Sequence, residues 1–354
     1  MFQYFWFVAF CSSSRMVSEE VDVTSSRQAF YRTIYRQCFS PDGDWLVAVD
    51  SLAYLYLFDF RKACEPDVTG DNRLFRSRKK LTEAVFALTS VQTKLVCGDA
   101  VGRLTIYDWE DIIQCDESHK LVPTCQFFGF KTDLLIGPNE INATTCIDNS
   151  FILYAGSGDN AIRLTDIERA DQVISTFKGH AKYVNELAVH SPHVFLSSSE
   201  DGTVRLWDVR SEDICVFDVA SHRKLRRRNC GIGVCALDAG DEFLICGGDM
   251  EIAMWHISSR SLAQRLTYED RSIKRYTVAK MGCDRMFVGG SSSRLLQFDY
   301  MGQYLTSVRT SLRNIYSVEC NSSRSNEMTT AAGDSSLINV FFNSGYVSLC
   351  LSTD

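Results

Sequence analysis

The chain has 354 residues, of which 45% are hydrophobic and 23% are charged, and this composition predicts a globular protein with a large core. The 37 basic residues are outnumbered by 44 acidic ones, and the net charge of −7 argues against a protein that coats nucleic acid unaided. None of the 14 cysteines forms a Cys-x-x-Cys pair, and several lie in apolar runs, so reduced, buried thiols are expected.

The first segment in chain order is an N-terminal extension, which we assign to residues 1–30. It opens with MFQYFWFVAFC, an apolar run that is too short to span a bilayer, which needs about 20 residues. Met16 begins a polar stretch and is expected to be the biological start. Ser25 and Gln28 have the spacing of a helix capping box, so we expect the extension to be partly disordered or to hold a short helix, which could run as far as Tyr35.

One motif recurs seven times along the rest of the chain. The clearest copy begins at Gly179 and reads GHAKYVNELAVHSPHVFLSSSEDGTVRLWDVR, with a Glu-Asp-Gly turn before Trp207-Asp208. Every copy ends in an equivalent dipeptide, and the second residues of these pairs fall at positions 59, 108, 166, 208, 256, 299 and 341. These separations fit WD-type propeller repeats, which run at about 40–45 residues and are lengthened by insertions.

The repeat predicts an all-β fold, a seven-bladed WD-repeat β-propeller that forms a single domain over residues 31–354. Period-2 runs such as Thr203 to Trp207 predict strands with one buried face, and Gly/Asp/Ser clusters predict hairpin turns. A further strand-like run, Gly345 to Leu351, follows the last copy. We therefore expect the last blade to own its four strands and the ring to close without an N-terminal strand.

The clearest copy also predicts a buried chain of polar side chains. In WD repeats a histidine, a serine, an aspartate and a tryptophan hydrogen-bond in series, and by spacing these residues are His180, Ser197, Asp201 and Trp207. An indole N–H needs an acceptor and a buried carboxylate needs donors, so the role expected of all four is structural and not catalytic.

Beyond the repeat, the chain resembles the subunit 6 family of the THO complex over roughly residues 31–351. The resemblance is carried by SPDG-x-x-LVAV from Ser40, GH-x-x-YV-x-x-LA from Gly179, SEDGTVRLWDVR from Ser199, CGGD from Cys246 with its Trp255-His256 ending, and AAGDSSLINVFFNSGYVSLCLS from Ala331. It implies a nuclear, non-catalytic scaffold that supports mRNA processing and export within the THO and transcription-export assemblies, with other THO subunits as its partners.

The sequence lacks the common enzyme motifs that would contradict a non-catalytic role. The chain has no Gly-x-Ser-x-Gly elbow, no Walker-type phosphate loop and no His-Glu-x-x-His motif. We therefore predict no catalytic, cofactor-binding or metal-binding residue, no small-molecule substrate and no membrane partner. Any contact with RNA is expected to be weak or indirect.

Two basic stretches interrupt the repeats, one from Arg73 to Lys80 and the other from Ser221 to Asn229. We call the second the basic loop, and its cations are Arg223, Lys224, Arg226, Arg227 and Arg228. Burial of so many charges would be costly, so we expect a solvated loop that binds an acidic partner segment and whose cations are replaceable without unfolding. A solvated connection without function, contact with RNA and a nuclear-import signal are the alternatives.

A second function remains open at this point, that of a histone-tail reader of the extra-sex-combs type. The Gly-His-x-x-x-x-Asn-Glu-Leu run from Gly179 is also similar to that family. Such a reader needs aromatic rings at the central channel to hold a methylated ammonium group. The sequence does not show which of its 41 aromatic residues could form such a cage.

Overall fold

Seven four-stranded antiparallel sheets make up the computed structural model. It describes residues 32–61, 74–115, 119–129, 139–169, 171–211, 214–268, 273–321, 328–342 and 345–353. The predicted N-terminal extension lies outside the described residues. Each sheet contains four strands that are consecutive in the chain, as the seven sequence repeats predict.

The strands of each sheet, or blade, follow one another in chain order. Blades 1 to 4 contain β1 to β16: Ile34–Phe39, Trp45–Asp50, Tyr54–Asp59, Phe75–Lys80; Val85–Val91, Lys94–Asp99, Arg103–Asp108, Cys125–Phe128; Ile141–Ile147, Phe151–Gly156, Ile162–Asp166, Val173–Phe177; Val184–Ser191, Val194–Ser199, Thr203–Asp208, Ile214–Asp218. Blades 5 to 7 contain β17 to β28: Val234–Ala239, Phe243–Gly248, Ala253–His256, Ser261–Arg265; Tyr276–Met281, Met286–Gly290, Arg294–Phe298, Tyr304–Arg309; Ile315–Asn321, Met328–Gly333, Leu337–Phe341, Leu349–Ser352.

The first strand of each blade lies on the inside of the ring. Each of these inner strands contacts the inner strands of the two neighbouring blades, and β25 contacts β1 to complete the circle. They surround a central channel. We call the end at which the inner strands begin the top face; the connections between blades and the turns between second and third strands lie there.

Seven hydrophobic clusters hold the blades together, one for each pair of neighbours. Alternate residues of the middle strands supply them; in β2, Leu46 and Ala48 face blade 7, whereas Val47 and Val49 face blade 2. Because successive side chains of a strand point to opposite faces, one strand serves two interfaces. The core is therefore distributed around the ring.

Blade 7 owns its four strands and closes the ring by side-chain contacts, as the final strand-like run predicts. Strand β28 pairs with β27, for example Ile338 with Leu351. Across the seam, the guanidinium of Arg32 donates to the carbonyl oxygen of Thr353 at 2.8 Å and forms an ion pair with Asp50. Among the described residues, polar contacts and one hydrophobic cluster therefore join blade 7 to blade 1 across the seam.

Three local features differ from the sequence expectations. Tyr35, the far end of the region considered for a short helix, lies in β1 because blade 1 takes its inner strand from Ile34 onward. The first basic stretch, Arg73 to Lys80, consists mostly of β4, the outer strand of blade 1, and is not a solvated loop. A six-residue helix, α1 (Trp109–Gln114), follows β7 and buries Trp109, whose indole N–H donates to Ser90 Oγ at 3.0 Å. No described helix is long and apolar enough to cross a membrane.

Candidate functional site

The four residues predicted to form a polar chain meet at the top of blade 4. His180 lies in the connection before β13, Ser197 in β14 and Trp207 in β15. The Ser197 hydroxyl lies 2.7 Å from His180 Nε2 and accepts from Trp207 Nε1 at 2.8 Å, while His180 Nδ1 lies 2.9 Å from an Asp201 carboxylate oxygen. The serine oxygen thus joins the rings of His180 and Trp207, and each of the four side chains has a hydrogen-bond partner within the polar chain.

Asp201 occupies the tight turn between β14 and β15, where its carboxylate gathers several donors. One oxygen accepts from the Thr203 amide and hydroxyl, and the other faces His180. Burial alone would raise the pKa of this carboxyl, but the bonds from His180 and Thr203 outweigh it and hold the pKa well below its usual range. Gly202 completes the turn with φ near +88°, a left-handed conformation that favours glycine.

The basic loop lies on the top face between blades 4 and 5. Its start is bound to blade 4, where the Ala220 amide donates to the Gly202 carbonyl at 3.0 Å. Its middle is bound to blade 5, where the Glu251 amide donates to the Leu225 carbonyl at 2.9 Å. Leu225 itself is fully buried. The loop is therefore held against the propeller at its start and at its centre.

Arg227 corrects the expectation that all five cations of the loop are solvated. Its side chain is only 14% exposed, forms an ion pair with Glu251 and donates to the carbonyl oxygens of Ile273 and Lys274 at 3.0 and 2.8 Å. The guanidinium also lies 4.7 Å from the centre of the Tyr276 ring. Arg227 fixes the loop to blades 5 and 6, because its charge is matched inside the fold, and we therefore expect its replacement to lower the stability.

The other four cations of the loop are exposed on the top face. Arg226 folds back so that its Nε donates to the Ala220 carbonyl at 2.8 Å, and the remaining three are Arg223, Lys224 and Arg228. Within the described part of the chain, none of the four forms an ion pair. Their charge is thus displayed on a fixed backbone and is open to an anionic partner.

Three acidic side chains on the turns beside the basic loop are ion-paired, whereas Asp218, just before the loop, accepts from the Ser221 amide at 3.0 Å. Arg275, in the connection between blades 5 and 6, forms ion pairs with Glu200 at 2.5 Å and with Asp249 at 3.6 Å. Glu251 is taken by Arg227 in the same way. These acids therefore do little to neutralise the exposed cations, and the top face of blades 4 and 5 is locally basic in a chain that is acidic overall.

Charged pairs also occupy the central channel. Arg36 of blade 1 reaches across it to Glu186 of blade 4, with 2.6 Å between nitrogen and oxygen, and Lys280 pairs with Glu319 at 3.2 Å. A cavity of about 440 Å³ includes all four residues in its lining. In the described ranges, no group of three or more His, Cys, Asp or Glu side chains is arranged to hold a metal ion.

The fold and the polar chain together define the class of protein: the chain is a seven-bladed WD-repeat β-propeller. The family model described as "WD domain, G-beta repeat" matches residues 171–208, the stretch that contains the polar chain. This match spans the outer strand of blade 3 and the first three strands of blade 4, and it agrees with the copy of the repeat that is clearest in the sequence.

Over nearly its full length the chain is similar to THO complex subunit 6. It is 25% identical to the Homo sapiens protein of that name over 346 residues, which cover 94% of this chain and 96% of the human protein. It is likewise 25% identical to the Danio rerio homolog over 334 residues, covering 92% of this chain, and 26% identical to the Arabidopsis thaliana subunit over 235 residues, covering 63%.

Proposed function

We propose that the chain is a non-catalytic scaffold subunit of a nuclear THO complex, where it supports mRNA processing and export through contacts with other subunits. The observation that carries this proposal is the similarity to THO complex subunit 6 across 94% of the chain. A propeller suits such a role, because its rigid ring presents connecting loops from seven blades to different partners.

The proposal is tested in the cells that express this protein. A tagged chain should purify with the THO subunits from nuclear extract, and its removal should cause polyadenylated RNA to accumulate in the nucleus. A tagged chain that is functional but recovers no THO subunit, together with unchanged RNA distribution after its removal, would contradict the proposal.

The basic loop is the surface that we propose for an acidic segment of a partner protein. Its four exposed cations are concentrated, held in place, and not neutralised by the engaged acids around them. A protein segment is favoured over RNA, because the net charge of −7 repels a long polyanion outside this patch. Binding should weaken as salt rises, since exposed charges are screened over about 10 Å at 0.1 M salt.

A charge-matched pair of variants tests the loop. Replacing Arg223, Lys224, Arg226 and Arg228 by serine should leave the melting temperature nearly unchanged and reduce recovery of THO subunits at about 0.15 M salt. The control replaces four exposed cations of other blades by serine, namely Arg76, Arg78, Lys120 and Arg309. Equal recovery with both variants would remove the loop from the interface, and loss of RNA crosslinking alone would favour RNA as its ligand.

A third variant tests whether partner binding depends only on the net charge of the basic loop or also on the fixed positions of its cations. Glu251→Gln removes the ion pair that holds Arg227 and makes the local surface more positive by one unit. If only charge matters, this variant should bind the acidic partner more tightly. We expect weaker binding, because a mobile loop must be ordered when the partner binds.

A further inference from the structure

A single hydroxyl group lies within the basic loop, on its first residue, Ser221. This side chain is exposed on the top face. Its hydroxyl donates to the Asp218 carbonyl oxygen at 3.1 Å, and its amide donates to the Asp218 carboxylate at 3.0 Å. Both bonds stay within the turn that leaves β16, so the hydroxyl oxygen remains at the surface, where a modifying enzyme can reach it.

The side chain of Arg226 folds back onto the same turn. Its Nε donates to the Ala220 carbonyl oxygen at 2.8 Å. That carbonyl belongs to the peptide bond between Ala220 and Ser221, so the guanidinium lies beside the Ser221 backbone. Within the described part of the chain, the two terminal nitrogens of Arg226 have no hydrogen-bond or ion-pair partner. They can therefore donate two parallel bonds to an anionic group on the Ser221 side chain.

The other exposed cations of the loop are close to the serine in sequence and stand on a folded backbone. Arg223 and Lys224 follow it within three residues, and Arg228 lies seven residues after it. The intervening chain forms a turn in which the Leu225 amide donates to the His222 carbonyl at 3.0 Å. An anion attached to the serine would therefore enter a region of positive potential.

We propose that Ser221 is a phosphorylation site whose phosphate, held by Arg226 and the neighbouring cations, weakens binding of the acidic partner segment to the basic loop. A protein kinase transfers the γ-phosphoryl group of ATP to Ser221 Oγ. The bond between the γ-phosphorus and the bridging oxygen of ADP breaks, the bond between phosphorus and Oγ forms, and the hydroxyl proton is released. This inference rests on the role proposed above for the basic loop.

The charge of the phosphate is large enough to change the loop. It is about −1.5 to −2 at pH 7, which offsets up to about half of the charge of the four exposed cations. The Asp218 carboxylate opposes the phosphate, because it contacts the Ser221 amide and carries charge of the same sign. It is a single charge against four, so the attraction to the cations prevails.

Phosphorylation also changes the hydrogen bonds that are open to the Ser221 side chain. The hydroxyl now donates to the Asp218 carbonyl, but a phosphate dianion has no proton to donate, so the modified side chain must turn towards donors such as Arg226. There it competes with the carboxylates of a partner for the same cations. Covalent attachment gives the phosphate a high effective concentration in this competition.

A titration of the phosphate tests the contact directly. Phosphoserine is placed by genetic encoding at position 221 of the full chain or, as the control, at Ser258, which is exposed in the turn between β19 and β20 and has one arginine, Arg260, within three residues. Phosphorus NMR then follows the second pKa of each phosphate, which is near 6 in the absence of neighbours. Cations lower this pKa, whereas the Asp218 carboxylate raises it.

We expect the second pKa of the phosphate at Ser221 to lie at least about 0.5 below that at Ser258, and Arg226→Gln to remove part of this difference. An equal or higher pKa at Ser221 would mean that the cations do not hold the phosphate and would overturn the proposal. A difference that Arg226→Gln leaves unchanged would exclude Arg226 as the residue that holds it.

Binding is measured with a fluorescent peptide of ten glutamate residues in about 0.15 M salt. Phosphate at Ser221 should weaken binding roughly 3- to 10-fold, and phosphate at Ser258 should change it less than about twofold. Equal affinity of the two modified chains would overturn this inference while leaving the acidic-partner role of the loop intact. Failure of the unmodified chain to bind would instead refute that role, and this inference with it.

The natural modification is sought in the cells that express the protein. The chain purified with phosphatase inhibitors should yield a peptide carrying one phosphate, which fragmentation assigns to Ser221, and this peptide should be enriched in the fraction that is not bound to THO subunits. Recovery of the unmodified peptide alone from both fractions would show that the site is not used and would overturn the proposal.

Discussion

Blades 4 and 5 each bury a tryptophan in the third strand, but the indole N–H groups of these two residues differ in their hydrogen bonding. In blade 4, Ser197 accepts from the Trp207 indole N–H. The equivalent strand position of blade 5 holds Cys246, whose thiol interacts only weakly with the Trp255 indole N–H, and no oxygen or nitrogen atom of the described residues accepts from that N–H. Burial raises the pKa of the Cys246 thiol to about 12, so it remains protonated, and sulfur is a weak acceptor.

Blade 5 is covered by the basic loop in place of a polar chain. Leu225 belongs to the same hydrophobic cluster as Trp255 and Met250, and Met250 stands where blade 4 has Asp201. The His222 ring packs edge-on against Trp255 at 5.7 Å between centres. Where the repeat loses its hydrogen-bonded chain, a connection between blades becomes part of the core, and the cations on that connection become fixed in place.

The largest effect is expected when the apolar contact that covers blade 5 is removed. Leu225→Ala should lower the free energy of unfolding by about 2–5 kcal/mol, because it empties a fully buried site. Denaturant unfolding measures this change. Leu305→Ala, at an exposed position in blade 6, should stay within about 0.5 kcal/mol of the parent. A loss for Leu225→Ala no larger than this control would mean that the loop is not part of the core.

The next effect comes from breaking the polar chain of blade 4. Asp201→Ala should cost about 1–3 kcal/mol, since it leaves the buried His180 ring and the Thr203 amide without their acceptor. Asp241→Ala removes an exposed carboxylate as the control. Chemical denaturation measures the free energy of unfolding of both variants. If Asp201→Ala is as stable as Asp241→Ala, the polar chain does not stabilise blade 4.

A smaller change should make blade 5 more like blade 4. Cys246→Ser offers the Trp255 indole N–H a hydroxyl acceptor and should raise the free energy of unfolding by about 1 kcal/mol. Cys97→Ser is the matched control, because Cys97 has the same strand position in blade 2, where Tyr107 replaces the tryptophan. This control should gain nothing. Stabilisation by both substitutions would point to the loss of the thiol as the cause.

The smallest effect is on pH dependence and concerns Asp201. Its folded-state pKa is lowered, so the stability it contributes is present above the unfolded-state value near 3.9 and is lost as pH falls through the folded-state pKa. Asp201→Asn lacks this contribution. The difference in stability between parent and variant should therefore shrink by about 0.7 kcal/mol between pH 5 and pH 3.5. A constant difference over that range would contradict the lowered pKa.

Several features of the fold could be predicted because they are encoded locally and repeated. The third strands end at or beside the predicted dipeptide positions, for example at Asp59, Asp108 and Asp208. Strand alternation and turn residues act over a few positions, and seven copies reinforce one another. Helix α1 and strand β4 were missed, since a six-residue helix has little periodicity and the basic residues of β4 resemble a solvated loop.

By itself, the sequence determined the number of blades, the ownership of strands by the last blade and the members of the polar chain, because each depends on spacing within one repeat. Only the tertiary structure decided that Arg227 is held by Glu251 while its neighbours are exposed. It also joined Arg32 to Thr353 across the seam between blades 1 and 7. Ring closure joins blades from opposite ends of the chain, and no local pattern carries information about contacts at that separation.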